Sequence, residues 1–475
     1  MTPDELSNLE RTARALEPGP AERDQHIARA TDYARRYLDG IADAPAYRAE
    51  PDRSAMLLDL PIEEHGFELD AALQLIETQV DRPGIAPTSG RFAGYIPGGG
   101  LLHAAIADFL AAISNRYAGV AFASPGAAAL ENRLVRWMAD LAGLPRTAAG
   151  YLAAGGSGAT LSAIVTAREA AGIEGEAIER AVVYGSEHTH HCVRKALKIA
   201  GLKRVQWRAI EVDDNYRMRP DALRATIAED RARGLTPWLL LAAAGATNTG
   251  AVDPLGPLAK IARSERLWFH VDAAYGGFFL LTDTGRRRLA GIEHADSLVM
   301  DPHKTLFLPY GTGALLVRDG NLLHQAMSEG ADYLQDTLVA GDDLSPADLS
   351  PELTRHFRGL RMWLPLKVLG LAPFRAALDE KLLLASYFHQ RMADDKRFEV
   401  GPPPDLSVVT FRLKASDEAN KQLLEAIHRD GRIFLSSTRL DGRYTLRMAA
   451  VCHRTHKAEI DTMITVLNEL AEETL

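Results

Sequence analysis

Two short segments hold the residue types best suited to chemistry. The first, His270-Val271-Asp272-Ala273-Ala274-Tyr275-Gly276-Gly277, begins inside an apolar, β-rich run at 267–271. The second, Asp301-Pro302-His303-Lys304, follows another such run at 297–300. Both runs read as buried strands of an open α/β sheet, which puts Asp272 and Lys304 near carboxyl ends, where such sheets hold their ligands. A buried carboxylate can keep a pyridine nitrogen protonated, and an amine can join an aldehyde as a Schiff base. Pyridoxal phosphate (PLP) needs these two protein groups most. Each residue also has a plainer reading: Asp272 as a strand-end cap or ion-pair partner, and Lys304 as a surface lysine at a strand end.

Three further motifs bear on the same site. Gly155-Gly156-Ser157-Gly158-Ala159-Thr160 lies between the apolar stretch 151–154 and a helix-like run at 161–167. Glycines at a strand-to-helix turn expose N–H groups at a helix N-terminus, where a phosphate is stabilised, although many such turns only close a loop. His188-Thr189-His190-His191 invites a zinc reading. Successive residues there point in different directions and no paired-ligand spacing follows, so no metal is expected. Arg447, on a predicted strand at 444–449, would be costly to bury unpaired, so it either faces solvent or meets a carboxylate.

With Phe357-Arg358-Gly359-Leu360-Arg361-Met362-Trp363, these blocks stand in an order that resembles the group II PLP-dependent decarboxylases. That family includes the aromatic-L-amino-acid, histidine, glutamate and cysteine sulfinate decarboxylases. The resemblance runs from about Phe92 to the C-terminus. It implies a fold-type I PLP enzyme, homodimeric, that decarboxylates an L-amino acid to its amine with an internal aldimine on Lys304. Lys304, Asp272 and His190 would be catalytic, with the imidazole of His190 stacked on the pyridine ring so that the bond to be broken stands perpendicular to it. Gly156 and Ser157 would hold the phosphate. Thr247, Ala274, Asp301 and His303 would also touch the cofactor, Ala274 being small enough for the ring to lie close. Tyr95, Ile96, Pro97, Tyr117 and Arg447 would bind substrate, with Tyr117 and Phe122 flanking the part that reaches the neighbouring subunit's site.

One departure from the family pattern stands out. The resembling decarboxylases carry a loop tyrosine, upstream of the 357–363 block, that protonates the substrate carbon after carbon dioxide leaves. Residues 334–356 contain no tyrosine, and Tyr333 stands too early. The donor is therefore open between His190 and Lys304. An oxidative outcome giving an aldehyde, or another PLP reaction at Cα, stands as the alternative to amine formation. A non-catalytic PLP-binding protein is a third reading, against which the intact Asp272, Lys304 and His190 count.

The elements that must position these residues are legible as hydrophobic pattern. From 91 to 365, apolar strands at 181–186, 238–245, 267–274, 297–300 and 313–317 alternate with helical segments, predicting a largely parallel sheet covered on both faces. This is the α/β cofactor domain. Residues 1–90 read as a helical arm, periodic through 28–38 and 67–80, with a Pro/Gly/Ser-rich linker at 81–90. In the resembling family such an arm serves dimerisation. Residues 366–475 predict a small α+β domain: a helix at 372–392, a strand at 408–413, a helix at 417–429, a hairpin turning at Asp441-Gly442, and a last helix with Thr455 as its N-cap.

Composition narrows the class. The 475 residues suffice for two or three domains, and 47% hydrophobic with 25% charged residues is globular composition. A net charge of −9 argues against a nucleic-acid surface. Cys192 and Cys452 cannot build a disulfide framework, which fits a reducing cytoplasm. The N-terminus lacks the basic-then-apolar order of a leader, and no apolar stretch approaches the ~20 residues that cross a bilayer. A soluble cytoplasmic enzyme without a membrane partner is expected.

Overall fold

The computed structural model describes residues 2–49, 57–96, 98–329 and 344–474. Near the N-terminus the two-residue strands β1 (Tyr47–Arg48) and β2 (Gly84–Ile85) pair antiparallel. The large sheet is built from β3 (Ala149–Ala153), β4 (Ala181–Ser186), β5 (Gln206–Ile210), β6 (Thr236–Ala243), β7 (Trp268–Asp272), β8 (Ser297–Met300) and β9 (Gly313–Val317). Their order across the sheet is β3-β9-β8-β7-β6-β4-β5. The run from β5 to β8 is parallel, and β9 is antiparallel to both β8 and β3.

The five strands expected from pattern are present, and two more join them. β3 is Ala-Gly-Tyr-Leu-Ala, small residues of low strand propensity that fit because Gly150 lies against the Leu315 carbonyl oxygen, 1.9 Å from where a Cβ would stand. β5 is an edge strand with only Ile210 buried, so it lacks an apolar signature.

Both sheet faces are covered. On one, Leu240, Val271, Leu298 and Leu316 pack with residues of the helices Pro125–Leu141 and Leu255–Glu265. On the other, Tyr151, Val299, Leu315 and Ala274 meet Ala159 and Ala163 of the helix Gly156–Ala171. Apolar residues on both faces of each strand are what a doubly covered parallel sheet requires.

After the helices Arg358–Leu369 and Ala372–Asp394 comes a second, antiparallel sheet. It contains β10 (Phe398–Val400), β11 (Val408–Leu413), β12 (Ser436–Leu440) and β13 (Arg443–Ala449), ordered β10-β11-β13-β12. β12 and β13 meet at Asp441 and Gly442, whose φ values of +49° and +75° are those of the predicted two-residue hairpin turn. The helices Asp417–Asp430 and Lys457–Thr474 cover this sheet. Thr455 does not cap the last helix. That helix begins at Lys457, the His456 N–H donates to the Glu459 carboxylate, and the Thr455 hydroxyl donates to the Gly90 carbonyl oxygen.

In the N-terminal region the helices Pro3–Ala13 and Pro20–Gly40 bury no residue in this chain. The periodicity at 67–80 corresponds to the helix Leu69–Leu75 running on into a π-helical turn, Ile76–Asp81. Among the described residues no helix is long and apolar enough to cross a membrane.

Candidate active site

The carboxyl ends of β6, β7 and β8 stand side by side, because Ala243 pairs with Asp272 and Asp272 with Val299. The helix Gly156–Ala171 starts at the same edge after β3, and the turn carrying His190 leaves the end of β4. These elements enclose a cavity of about 460 Å³. Gly156, Ser157, His190, Thr247, Asp272, Ala274, Asp301, His303 and Lys304 all line it, so residues up to 148 positions apart in sequence meet in one place. Of the expected substrate contacts, Tyr95, Ile96, Tyr117 and Arg447 are not among its lining residues, and Pro97 lies outside the described residues.

Lys304 sits on the short helix Pro302–Thr305, separated from the end of β8 only by Asp301, whose side chain makes no capping hydrogen bond. Its Nζ is 3.0 Å from Oδ2 of Asp301. Burial alone would lower the ammonium, but the carboxylates of Asp301 and Asp272 outweigh it and hold Lys304 above its usual range. Asp301 is almost fully buried. A Cβ on Gly156 would stand 2.7 Å from its Oδ2, and one on Gly313 would stand 2.7 Å from its Oδ1. Only glycine at both positions lets the carboxylate reach the helix N-terminus. Its Oδ1 is buried with no hydrogen-bond partner.

Asp272 accepts the Ala274 N–H at 3.1 Å through Oδ1. Beneath it, one turn of the pleat earlier on β7, His270 Nδ1 is 2.8 Å from the Ser297 hydroxyl, which also accepts the Trp268 indole N–H at 2.8 Å. Burial holds the His270 imidazole down at about 4, so the ring is neutral. This buried polar ladder could not be anticipated from hydrophobic pattern.

The histidine cluster separates as its backbone turns. His188 is buried edge-on to Tyr216, with ring centroids 5.3 Å apart, and His191 is exposed. His190 faces the cavity, and its Nδ1 accepts the Cys192 N–H at 3.3 Å, so the neutral ring carries its hydrogen on Nε2. Burial, reinforced by His191 and Lys304 and opposed by Asp272, keeps His190 below its usual range. Among the described residues no three His, Cys, Asp or Glu are grouped to hold a metal.

Arg447 departs from both expected settings. It is buried, yet among the described residues it meets no carboxylate. Nε donates to the Asn248 carbonyl oxygen at 2.9 Å, Nη1 to the Ser436 hydroxyl at 2.9 Å, and Nη2 to the Thr247 carbonyl oxygen. Burial lowers it to about 10, which leaves it charged at neutral pH. It therefore ties β13 to the strap that presents Thr247. Tyr95 has a φ of +52°, rare for a bulky residue, and its N–H approaches the same Ser436 hydroxyl at 3.4 Å.

These residues fit PLP. The first N–H groups of the helix Gly156–Ala171 are free of intrahelical partners and suit a phosphate. The ammonium of Lys304 suits the aldehyde and the carboxylate of Asp272 a ring nitrogen, and the orphaned Oδ1 of Asp301 marks an unfinished polar site between them. Residues 51–414 match the family described as the pyridoxal-dependent decarboxylase conserved domain. The chain belongs to this family. It is a PLP-dependent amino-acid decarboxylase of fold type I.

Individual relatives agree with that placement. The decarboxylase is 37% identical over 406 residues to an aromatic-L-amino-acid decarboxylase of Bacillus atrophaeus, covering 83% of this chain and 82% of the relative. It is 30% identical over 464 residues to a phenylacetaldehyde synthase of Arabidopsis thaliana, covering 93% and 94%. Among solved structures it superposes on Catharanthus roseus tryptophan decarboxylase in complex with L-tryptophan with a TM-score of 0.89 at 28% identity, covering 97% and 100% of the two chains. The tryptophan decarboxylase of Oryza sativa with PLP and tryptamine gives 0.90 at 26% identity, covering 96% and 99%.

Sequence reasoning assigned no role to seven lining residues of the decarboxylase: Ala154, Gly155, Gly158, Thr160, Cys192, Gly245 and Tyr275. Cys192 gave no signal, being a lone cysteine at a helix start. Burial raises its thiol to about 12, so it contributes shape and not a thiolate.

Proposed function

We propose that this decarboxylase converts an aromatic L-amino acid to its amine as a cytoplasmic homodimer. The single observation that carries the assignment of roles is that Nζ of Lys304, the carboxylate of Asp272 and the N-terminus of the helix Gly156–Ala171 line one cavity. When bound, PLP supplies the electron sink that accepts the bond electrons as carbon dioxide departs. Asp272 supports that sink by keeping a ring nitrogen charged. Gly156 and Ser157 hold the phosphate through their N–H groups, and His190 lies against the ring and sets its tilt. Arg447 acts from behind by fixing the Thr247 strap.

The proton donor follows from the two charge states. His190 is neutral at pH 7 and its Nε2–H is a weak acid, whereas Lys304 holds a proton on Nζ next to Asp301. Once the substrate's own amine has taken its place, Lys304 is the group able to deliver a proton to Cα. The aromatic class rests on the 37% identity to the Bacillus atrophaeus enzyme. The homodimer rests on the helix Leu102–Ser114, whose Leu102, Ile106, Phe109, Leu110 and Ile113 form one stripe, each between 42% and 70% exposed. The formal charge of −9 argues against a nucleic-acid partner.

A second reading, aldehyde formation, is favoured by the tyrosine-free stretch 334–356 and by the similarity to a phenylacetaldehyde synthase. Part of that stretch, residues 334–343, lies outside the described residues, as does Tyr333. An assay across phenylalanine, tyrosine, tryptophan and several non-aromatic amino acids under air decides between them. Equal amine and carbon dioxide without peroxide supports the proposal. Equal aldehyde, ammonia and hydrogen peroxide would replace it with the oxidative reaction.

A further inference from the structure

His303 edges the same cup, and its two ring nitrogens have different tasks. Nδ1 is 2.6 Å from the Thr312 carbonyl oxygen, so it carries the hydrogen of the neutral imidazole. Nε2 is left with a free lone pair, 3.8 Å from Oδ2 of Asp301. Cε1, between the two, is 3.5 Å from where a Cβ on Gly155 would stand, which sets this edge of the ring against the start of the helix Gly156–Ala171. The groups that face the ring are Asp301 and Lys304 from its own turn, Arg361 from the helix Arg358–Leu369, and the Tyr310 ring with centroids 5.9 Å apart. The first turn of the helix Gly156–Ala171 brings no titratable side chain. In the chain alone, burial, with Lys304 and Arg361, outweighs the pull of Asp301 and the Thr312 carbonyl and keeps His303 below its usual range.

We propose that seating the phosphate of PLP in this cup places a proton on Nε2 of His303, making the ring a cation held between the phosphate and Asp301. The inference rests on the reading that PLP occupies the cup with Lys304 engaged by its aldehyde. Two changes then act together. A phosphate carrying about −1.5 to −2 charge arrives at the helix N-terminus beside Asp301. At the same time Asp301 loses the free ammonium that stands 3.0 Å away. The imidazole is the more basic of the two candidate sites, about 2.6 pH units above a carboxylate in their unperturbed states. A proton on Nε2 would also find an acceptor on each side. Binding that raises a group's proton affinity weakens as pH rises, here by up to about tenfold in Kd per pH unit between the free and loaded titrations of the ring.

The test uses the whole protein labelled with [15N]histidine. At pH 7.5 the His303 ring should show one protonated nitrogen without PLP and two with it. Calorimetry of PLP binding in two buffers of different ionisation heat should count about one more proton taken up by the wild type than by His303→Gln, a change that removes the titrating site and needs no turnover to be read. A loaded ring that remains singly protonated, or equal proton counts in the two proteins, would overturn the proposal alone. Borohydride trapping reports the other half. Failure to fix PLP on Lys304 would overturn the site reading and this proposal with it.

Discussion

The cup at the carboxyl edge of the large sheet and the exposed face of the helix Leu102–Ser114 differ in what one chain can finish. In the cup, Lys304 has Asp301 at 3.0 Å, Asp272 has the Ala274 N–H, and His190 has the Cys192 N–H. Polar groups are oriented there before any ligand arrives. On the helix, five apolar side chains in one stripe remain substantially exposed. Side chains of that kind lose little in a monomer and gain only when another surface covers them. Cofactor chemistry is thus prepared within the chain, while the proposed dimer depends on a second copy to cover the stripe. Substitutions in the cup should remove chemistry and spare both fold and assembly, and substitutions on the face should spare the fold and remove assembly, with activity falling as a consequence.

The largest effect is expected at Lys304. Lys304→Ala should lower turnover by about 10⁴-fold or more, with borohydride no longer fixing PLP to the chain. Near-normal turnover, or label recovered on Lys260, would remove the cup from the chemistry. Asp272→Asn comes next, at about 10²- to 10⁴-fold in kcat, because a neutral ring is a poor electron sink. PLP should still bind, since the phosphate site and Lys304 are untouched. If kcat stays within a few fold, Asp272 is a structural cap and the two regions are less distinct than proposed.

The face is tested by Ile113→Glu. Ile113 is 70% exposed in the single chain, so the charge costs the monomer little and would be buried only by a partner. On the proposal of a homodimer whose partner completes the substrate pocket, sedimentation should show a folded monomer in place of the wild-type dimer, with activity lower by about tenfold or more. An unchanged dimer with full activity would show that this stripe is not the shared surface.

Much of this was legible in the sequence for a definite reason. Strands β7 and β8 announce themselves because burial on both faces demands continuous apolar runs, and the polar residues that end them then stand out. The Asp441-Gly442 turn is local backbone chemistry and needs no tertiary information. What could not be read depends on contacts made far along the chain. β3 is held by Gly150 against β9, and Thr455 is diverted from capping by the Gly90 carbonyl. Arg447 finds three oxygens on the Thr247 strap and β12 where the cost of burying an unpaired charge offered only solvent or a carboxylate. The approach of Asp301 to the helix N-terminus needs Gly156 and Gly313 together, 157 positions apart, and no single motif states that.

The smallest expected effect, at Arg447, sharpens the boundary between holding the cup and forming it. The guanidinium spans the Thr247 and Asn248 carbonyls and the Ser436 hydroxyl with three separate nitrogens. A lysine keeps the charge but offers one compact head that cannot reach all three, and at least one buried oxygen is left without a donor. Arg447→Lys should therefore cost about 1–3 kcal/mol of stability. The Thr247 strap should loosen, raising KM by roughly two- to fivefold with kcat nearly unchanged, the pattern of lost binding rather than lost chemistry. A direct contact between Arg447 and the substrate carboxylate predicts the opposite balance: KM higher by about a hundredfold, for the loss of a charge-assisted pair of about 3 kcal/mol, and a thermal midpoint close to wild type. Denaturation and steady-state kinetics on the one variant separate a residue that holds the strap from a residue that holds the substrate.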